Sequence, residues 1–340
     1  MLHFTSVELC AGAGGQAFGL HQSFDHLALV EIDRDACETL RLNGKRLGWP
    51  AECIHQADLR TWEPPADIGE VDLLAAGVPC PPFSVAGKQL GHEDERDLFP
   101  AVIRIAKTLG PRAILVENVR GLLTSRFDDY RSGVERELGA LGYQVQWKLL
   151  NACDFGVPQL RPRTAMVALK PEDVPHFEWP EPTTDQAPTV GEVLLPSMKS
   201  SGWKGAVAWA KQANQIAPTL VGGSRKHGGP DLGPTRARQA WDRLGVDGIG
   251  LANSLPDAKF TGKPKLTVAQ AAMLQGFPAE WEIHGLKTSA YRQVGNAFPP
   301  PVAEALGVAI VSAFVAADAA AEQPASQSPR SVRSRRLAVA

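Results

Sequence analysis

Cysteine is sparse in this chain and does not pair by spacing. The five thiols among 340 residues, Cys10, Cys37, Cys53, Cys80 and Cys153, form no CxxC pair and their number is odd, which argues against a disulfide framework and a zinc ribbon. Any cysteine with a chemical role acts alone. Long apolar runs are also missing: the longest, VDLLAAGV and GVAIVSAFVAA, fall far below the roughly 20 residues that span a bilayer. The first residues lack the layout of a secretory signal, so a cytoplasmic protein without membrane contact is expected. Nor does one sign of charge dominate, since 35 Lys and Arg face 37 Asp and Glu. The balance is uneven, however. Within 196–265 eleven basic residues face four Asp, which confines any footprint for a polyanion to that segment. What is present, 44% hydrophobic residues in a chain of this length, suffices for a large buried core.

Up to about residue 170, the strings HFTSVEL, HLALVEI, VDLLAAGV, RAILVENV, YQVQWKLL and TAMVALK alternate with helical patterns at 34–47, 97–109 and 129–141. This alternation predicts a parallel sheet covered on both faces. From 178 to 264 the rhythm breaks. The stretch 221–250 holds eight glycines with Pro230 and Pro234 and predicts long irregular loops, which with the charge excess point to a binding surface. Helical patterns resume at 266–274 and 300–317, so the α/β domain is interrupted and then completed. Beyond Asp318 the chain is poor in large apolar residues and carries Arg330, Arg333, Arg335 and Arg336, predicting a disordered tail.

The first strand runs into ELCAGAGGQAFGL, where Gly12, Gly14 and Gly15 form a tight strand-to-helix turn that lets a ligand approach backbone. Gly12-x-Gly14-x-x-Ala17, with Glu31 ending the next strand 17 residues after Gly14, fits a nucleoside cofactor whose ribose hydroxyls Glu31 accepts. A glycine turn that merely connects two elements is the plainer alternative. Asp58 ends the following strand pattern, placed either to meet an adenine amine or to cap a helix. The strand VDLLAAG leads into VPCPPFS, which puts Cys80 just past the carboxyl end of a sheet strand, where open α/β sheets bind ligands. Pro79, Pro81 and Pro82 keep that thiol out of regular helix or central strand. Glu117 and Asn118 end the adjacent strand AILVENV, and Gln159-x-Arg161-x-Arg163 alternates at a period of two, turning both arginines to one side. For Glu117 the plainer alternative is an acid at a helix N-terminus.

In order, AGAGG, GVPCPPFS, RDLF at 96–99, ENV at 117–119, QLRPR at 159–163, LQGFP at 274–278 and YRQVGNAFPP at 291–300 resemble the bacterial DNA (cytosine-5) methyltransferase family. The resemblance implies a doubly wound α/β sheet of the S-adenosylmethionine-dependent, Rossmann-like methyltransferase type, with a smaller, loop-rich target-recognition domain inserted before the C-terminal helices. It divides the chain into a catalytic and cofactor-binding domain (1–178), the recognition domain (179–264), the return to the catalytic domain (265–318) and a tail (319–340). It implies methyl transfer from S-adenosylmethionine, leaving S-adenosylhomocysteine, to carbon 5 of a cytosine flipped out of duplex DNA. Cys80, Glu117, Asn118, Arg161 and Arg163 carry the chemistry. Gly12, Gly14, Gly15, Glu31, Asp58, Pro79, Leu98 and Asn296 hold the cofactor, and no metal is implied. Arg225, Lys226, His227, Arg236 and Arg238 meet DNA, undivided between phosphates and bases. The implied enzyme works as a monomer, either with a cognate restriction endonuclease or as an orphan. Three alternatives stand beside it: a transfer-RNA cytosine-5 methyltransferase, a catalytically silent DNA binder and a nucleotide-dependent dehydrogenase. The sequence departs from the family's pattern at Cys10, where Phe is frequent, at Ala269, Gln270 and Ala272, where Arg and Glu are common, and at Pro81, where many relatives have Gln. At 269–272 the departures predict altered packing of the recognition domain.

Overall fold

The computed structural model describes residues 4–79, 97–222 and 230–322. Its strands are β1 (Phe4–Leu9), β2 (Phe24–Glu31), β3 (Ile54–Gln56), β4 (Leu73–Ala76), β5 (Ala113–Val119), β6 (Gln144–Asn151) and β7 (Pro162–Leu169). They form one sheet in the order β3-β2-β1-β4-β5-β7-β6. The central strands β4 and β5 are buried nearly throughout, which is why LLAA and AILV read as unbroken apolar runs rather than alternating ones. The chain leaves β1 toward one edge and β4 toward the other, so their carboxyl ends border a crevice at the switch of direction.

The expected all-parallel sheet is corrected in one strand. β7 runs antiparallel to both β5 and β6, making the sheet mixed. The physical reason lies in the connection: β6 and β7 are joined by the short stretch 152–161 with only a 3₁₀ turn at Ala152–Phe155, whereas a parallel return needs a crossover of a dozen or more residues.

Helices cover both faces. α2 (Arg34–Leu47), α3 (Phe99–Leu109) and α4 (Asp128–Ala140) match the sequence patterns closely, while α1 (Gly15–Leu20) is the short helix after the glycine turn. Asp33 begins α2 by accepting from the Asp35 and Ala36 amides, and Gly48 ends it in the left-handed region at φ 77°. On one face Val102, Ile105, Tyr130 and Leu138 pack against Val7, Leu74 and Val116. On the other, α10 (Pro300–Glu322) brings Leu306, Ile310 and Phe314 onto Phe4, Leu73 and Leu115. By length and composition alone α10 could cross a membrane, which the shorter apolar runs of the sequence did not show; its packing makes it a core helix. It also continues past Asp318, where the tail was expected to begin. Residues 316–322 are mostly alanine, the best helix former, and Asp318 lies 3.0 Å from Arg112.

The segment 179–264 is more regular than its glycines predict. It holds α5 (Val190–Ser200), α6 (Ala206–Gln212) and α7 (Thr235–Arg243), and α5 starts with a capping box between Thr189 and Glu192. Trp203, Trp209 and Trp241 anchor these helices in a core continuous with Leu40 and Trp281. α8 (Val268–Leu274) and α9 (Lys287–Asn296) then lead back to α10. The unusual Gln270 caps α8 with Thr267 and donates to Ser197 Oγ at 2.9 Å, so the departure from the family's pattern is a bond between α8 and α5.

A buried histidine sets one pH dependence. His26 Nε2 donates to the Ala17 carbonyl at 2.9 Å, so in the neutral ring Nδ1 accepts from Ser6 Oγ at 2.8 Å; protonation at Nδ1 removes that acceptor. Burial lowers its pKa from 6.5 to about 4. Above pH 6.5 neither the folded nor the unfolded form binds the proton. Below it the unfolded chain takes up the proton first, and stability falls until the folded ring also titrates near pH 4, by about 3 kcal/mol in all. The buried carboxyls Glu8, Glu31 and Glu117, with raised pKa values, act in the opposite sense. Urea unfolding at pH 7 and pH 4.5 of the parent and His26→Gln isolates the contribution: the parent should lose about 2 to 3 kcal/mol more than the variant, and equal losses would rule His26 out as its source.

Candidate active site

The glycine turn at the end of β1 is built from left-handed backbone. Cys10 has φ 57°, the one non-glycine in that region among the described residues, and Gly12 and Gly14 have φ 56° and 79°. A side chain on Gly15 would be driven into the Phe298 carbonyl oxygen, so only glycine lets the returning segment 297–300 close over the turn. At Gly12 the space is open instead: an added Cβ would meet nothing nearer than the Cys10 carbonyl oxygen at 3.9 Å. Glu31 fixes this shape, accepting from Gly12 N–H at 2.8 Å and Asp33 N–H at 2.7 Å. Burial pushes its carboxyl pKa up, against those amides. Trp281 locks the turn from the far side by donating to Ala13 O at 3.1 Å. Asp58 caps no helix; its carboxylate holds Arg60 on an exposed bend, which lowers its pKa. It nevertheless joins Glu31 and Glu8 in raising the pKa of the buried Cys10 thiol, after burial itself. Three carboxylates thus surround Cys10.

Across the crevice stand the ends of β4, β5 and β7. Glu117 is buried in β5, with Oε1 2.8 Å from Arg163 Nε; the register that sets Val119 opposite Arg163 brings the two side chains together. Burial raises the Glu117 pKa, while Arg163 and Arg161 work against that shift. Glu117 therefore sits inside a strand and opposite a cation, not at a helix N-terminus. Asn118 donates to Val78 O at 3.1 Å and holds the strand end that precedes Pro79. Gly77 joins the two walls: a Cβ there would lie 3.5 Å from Cys10 O and 3.9 Å from Glu117 Oε2. Pro79 is exposed beside them and Leu98 caps α3. Cys80, Arg225, Lys226 and His227 lie outside the described residues.

Arg161 lies just before β7 and Arg163 within it, and they hold different partners. Arg161, with no exposed surface, donates at 2.8 Å to each of the Leu220, Gly295 and Ala297 carbonyls. Gln159 accepts from Leu220 N–H and donates to Gln275, which donates to Ala297 O. This buried network ties QLRPR to LQGFP, to YRQVGNAFPP and to the segment 217–222, so Arg161 positions the walls of the site. Asn296 is exposed with Oδ1 only 2.6 Å from where Gly222 would carry a Cβ. Arg236 and Arg238 lie on α7. The sequence reading missed Gln275 and Trp281 as parts of the site, although both fall in or beside a motif it used. Among the described residues no cluster of His, Cys, Asp and Glu could hold a metal ion.

This sheet order, with a glycine turn at the switch point, is that of the Rossmann-like methyltransferase fold. The sequence model of the C-5 cytosine-specific DNA methylase family matches residues 4–312, and the chain belongs to that family. It is 54% identical over 315 residues to the Type II methyltransferase M.NaeI of Lentzea aerocolonigenes, covering 91% of this chain and 75% of that protein. With the Type II methyltransferase M.NgoMIV of Neisseria gonorrhoeae it shares 51% over 317 residues, covering 92% and 99%. Among solved structures, a DNA modification methyltransferase encoded within an E. coli prophage superposes with a TM-score of 0.62 at 20% identity, over 93% of this chain and 99% of that one. The Dnmt2 methyltransferase of S. pombe gives 0.57 at 16%, over 91% and 98%. These two likenesses bear on the fold alone. The chain is a DNA (cytosine-5) methyltransferase that uses S-adenosylmethionine.

Proposed function

We propose that the protein flips one cytosine out of duplex DNA and methylates carbon 5 through a covalent adduct between Cys80 and carbon 6. The observation that carries this reading is the placement of the Glu117–Arg163 pair across Gly77 from the glycine turn, with Cys80 next after Pro79. Carbon 5 of cytosine is a poor nucleophile. The Cys80 thiolate forms a bond to carbon 6, and the displaced electron pair is drawn toward ring nitrogen 3, leaving carbon 5 enamine-like. Glu117 supplies the proton at nitrogen 3 and accepts from the exocyclic amine; a carboxyl whose pKa burial has raised suits that transfer. Arg163 donates to the base carbonyl and keeps Glu117 in place, while Asn118 holds the strand end before Pro79. S-adenosylmethionine supplies an electrophilic methyl group. Loss of the carbon 5 proton then returns electrons to the ring and expels the Cys80 sulfur.

Gly12, Gly14 and Gly15 present backbone to the methyl donor, with the open space before Gly12 as its cradle. Glu31 meets ribose hydroxyls with the lone pairs its amides leave, and Pro79, Leu98 and Asn296 complete the wall. Asp58 bounds the adenine side from its bend beside Cys10. Flipping takes a few kcal/mol of unstacking, which contacts from the basic segment 179–264 offset as the target-recognition domain. The 51–54% identity to two Type II methyltransferases supports a place in a restriction-modification pair; the enzyme acts as a monomer in the cytoplasm, one chain flipping one base on one strand.

Methyl transfer from labelled S-adenosylmethionine to mixed-sequence duplex DNA and to RNA tests this reading. Label at carbon 5 of cytosine in a single DNA context is the expected result. Label in RNA alone would move the protein to RNA modification.

A further inference from the structure

The sequence left the basic residues of 179–264 undivided between phosphate and base contacts. α7 divides two of them and adds two more residues. Its buried side carries Trp241, followed by Leu244 just past the helix end. Its outer side carries Arg236, Gln239 and Arg243, spaced by three and four residues so that they stack into one stripe. All three are exposed, and among the described residues no ion pair or hydrogen bond engages their side chains, Gln212 reaching only the Arg243 carbonyl. Neighbouring cations are occupied. Arg238 bonds Thr235 Oγ1 at 3.4 Å and packs on Gly248, Lys263 pairs with Asp242, and Lys265 lies 3.6 Å from Asp247.

A hollow borders the helix on either side. One, about 620 Å³, is reached by Arg243 and walled by Leu160, two residues before the start of β7, and by Ala217 from the segment that Arg161 holds. This hollow joins α7 to Leu160, within the QLRPR motif that also holds Arg163. It also contains Asp154 and Asp185, which repel phosphate. The other, about 760 Å³, is lined by Arg238, Gln239, Ile249 and Lys263 with Asp242. A helix raised between two hollows suits the major groove of B-DNA, which is about 12 Å wide and admits one helix. Each hollow holds two aspartates, but the first sets only Arg243 against them while the second sets Arg238, Arg243 and Lys263, so the second is the more basic side and the better one for a phosphate strand.

Arginine reads guanine through O6 and N7, and glutamine reads adenine through N6 and N7. We infer that α7 is the recognition helix of this enzyme, with Arg236, Gln239 and Arg243 on base edges in the major groove and Arg238 and Lys263 toward the phosphate strand. This rests on the reading that duplex DNA is the substrate.

The test maps methylated cytosines at base resolution in a mixed-sequence DNA library, for the parent and for Arg236→Ala, Gln239→Ala and Arg243→Ala, with thermal unfolding run on each. Every variant should unfold like the parent. Each should lose roughly ten- to a hundredfold discrimination at one base position of the consensus and keep the rest. Arg238→Ala and Lys263→Ala should instead slow methylation evenly across sites and flatten its salt dependence. The assignment fails if the three stripe variants keep the full consensus, whether their rates are unchanged, which means that the helix faces away from DNA, or fall evenly, which means that it touches only phosphate. A parent enzyme that leaves no label in duplex DNA would overturn the substrate reading and the helix assignment together.

Discussion

Replacing Cys80 with Ala should lower methyl transfer by at least about a thousandfold, while DNA binding stays near that of the parent. The reasoning is chemical before it is structural. Without addition at carbon 6 the cytosine ring offers the methyl group no adequate electron pair, and neither Glu117 nor Arg163 can make one. Cys80 is also the one cysteine suited by position. Cys37 and Cys53 are buried, and the half-buried thiols are pushed up in pKa, Cys10 by burial and by Glu31, Glu8 and Asp58 and Cys153 by burial and by Asp154, which disfavours the thiolate. Cys80 follows Pro79 in the sequence, and the described chain leading up to Pro79 is held by Asn118 at Val78, with Gly77 close to Glu117. Single-turnover transfer and a gel-shift titration on one preparation decide the matter. Turnover within tenfold of the parent would remove Cys80 from the mechanism.

Arg161→Ala should destabilise the fold by about 3 to 5 kcal/mol, since it strands the Leu220, Gly295 and Ala297 carbonyls in a buried site and each unpaired acceptor costs about 1 to 3 kcal/mol. The melting temperature should fall by roughly 4 to 7 °C. Arg163→Ala should do the reverse, leaving stability within about 1 to 2 kcal/mol of the parent while cutting turnover. Removing it frees Glu117, whose burial already favours the protonated, neutral form. Calorimetry and initial rates on both variants separate a residue that holds walls together from one that faces the base. If Arg161→Ala melts with the parent, the three carbonyl bonds carry no stability and the positioning role falls.

Much of this arrangement was legible in the sequence because it is local. The burial of β4 and β5 on both faces leaves unbroken apolar strings, the Asp33 cap and Gly48 stop bound α2, and the glycine turn declares its left-handed backbone. Other features depend on partners far along the chain. Arg161 reaches a carbonyl 59 residues away and others 134 and 136 residues away, and nothing within QLRPR distinguishes that task from the one Arg163 performs. The reversal of β7 was hidden because strand direction is set by the connection, and a 3₁₀ turn leaves no helical pattern to read. α5, α6 and α7 were masked by Pro196, by their short length and by the surrounding glycines. They form because Trp203, Trp209 and Trp241 find a common core, and propensity alone would not predict them.

The closure of the glycine turn sets an order of events for a chain growing on the ribosome. β1 and α1 are made first, yet the turn between them is finished by Trp281, which bonds Ala13, and by Phe298, whose carbonyl rests on Gly15. Contacts of such long sequence separation form late. A nascent chain that has assembled the sheet but not yet received 274–298 therefore holds the catalytic side chains on an unfinished cofactor cradle. The turn therefore waits for residues 274–298, and a chain that stops short of them has the sheet without a closed glycine turn.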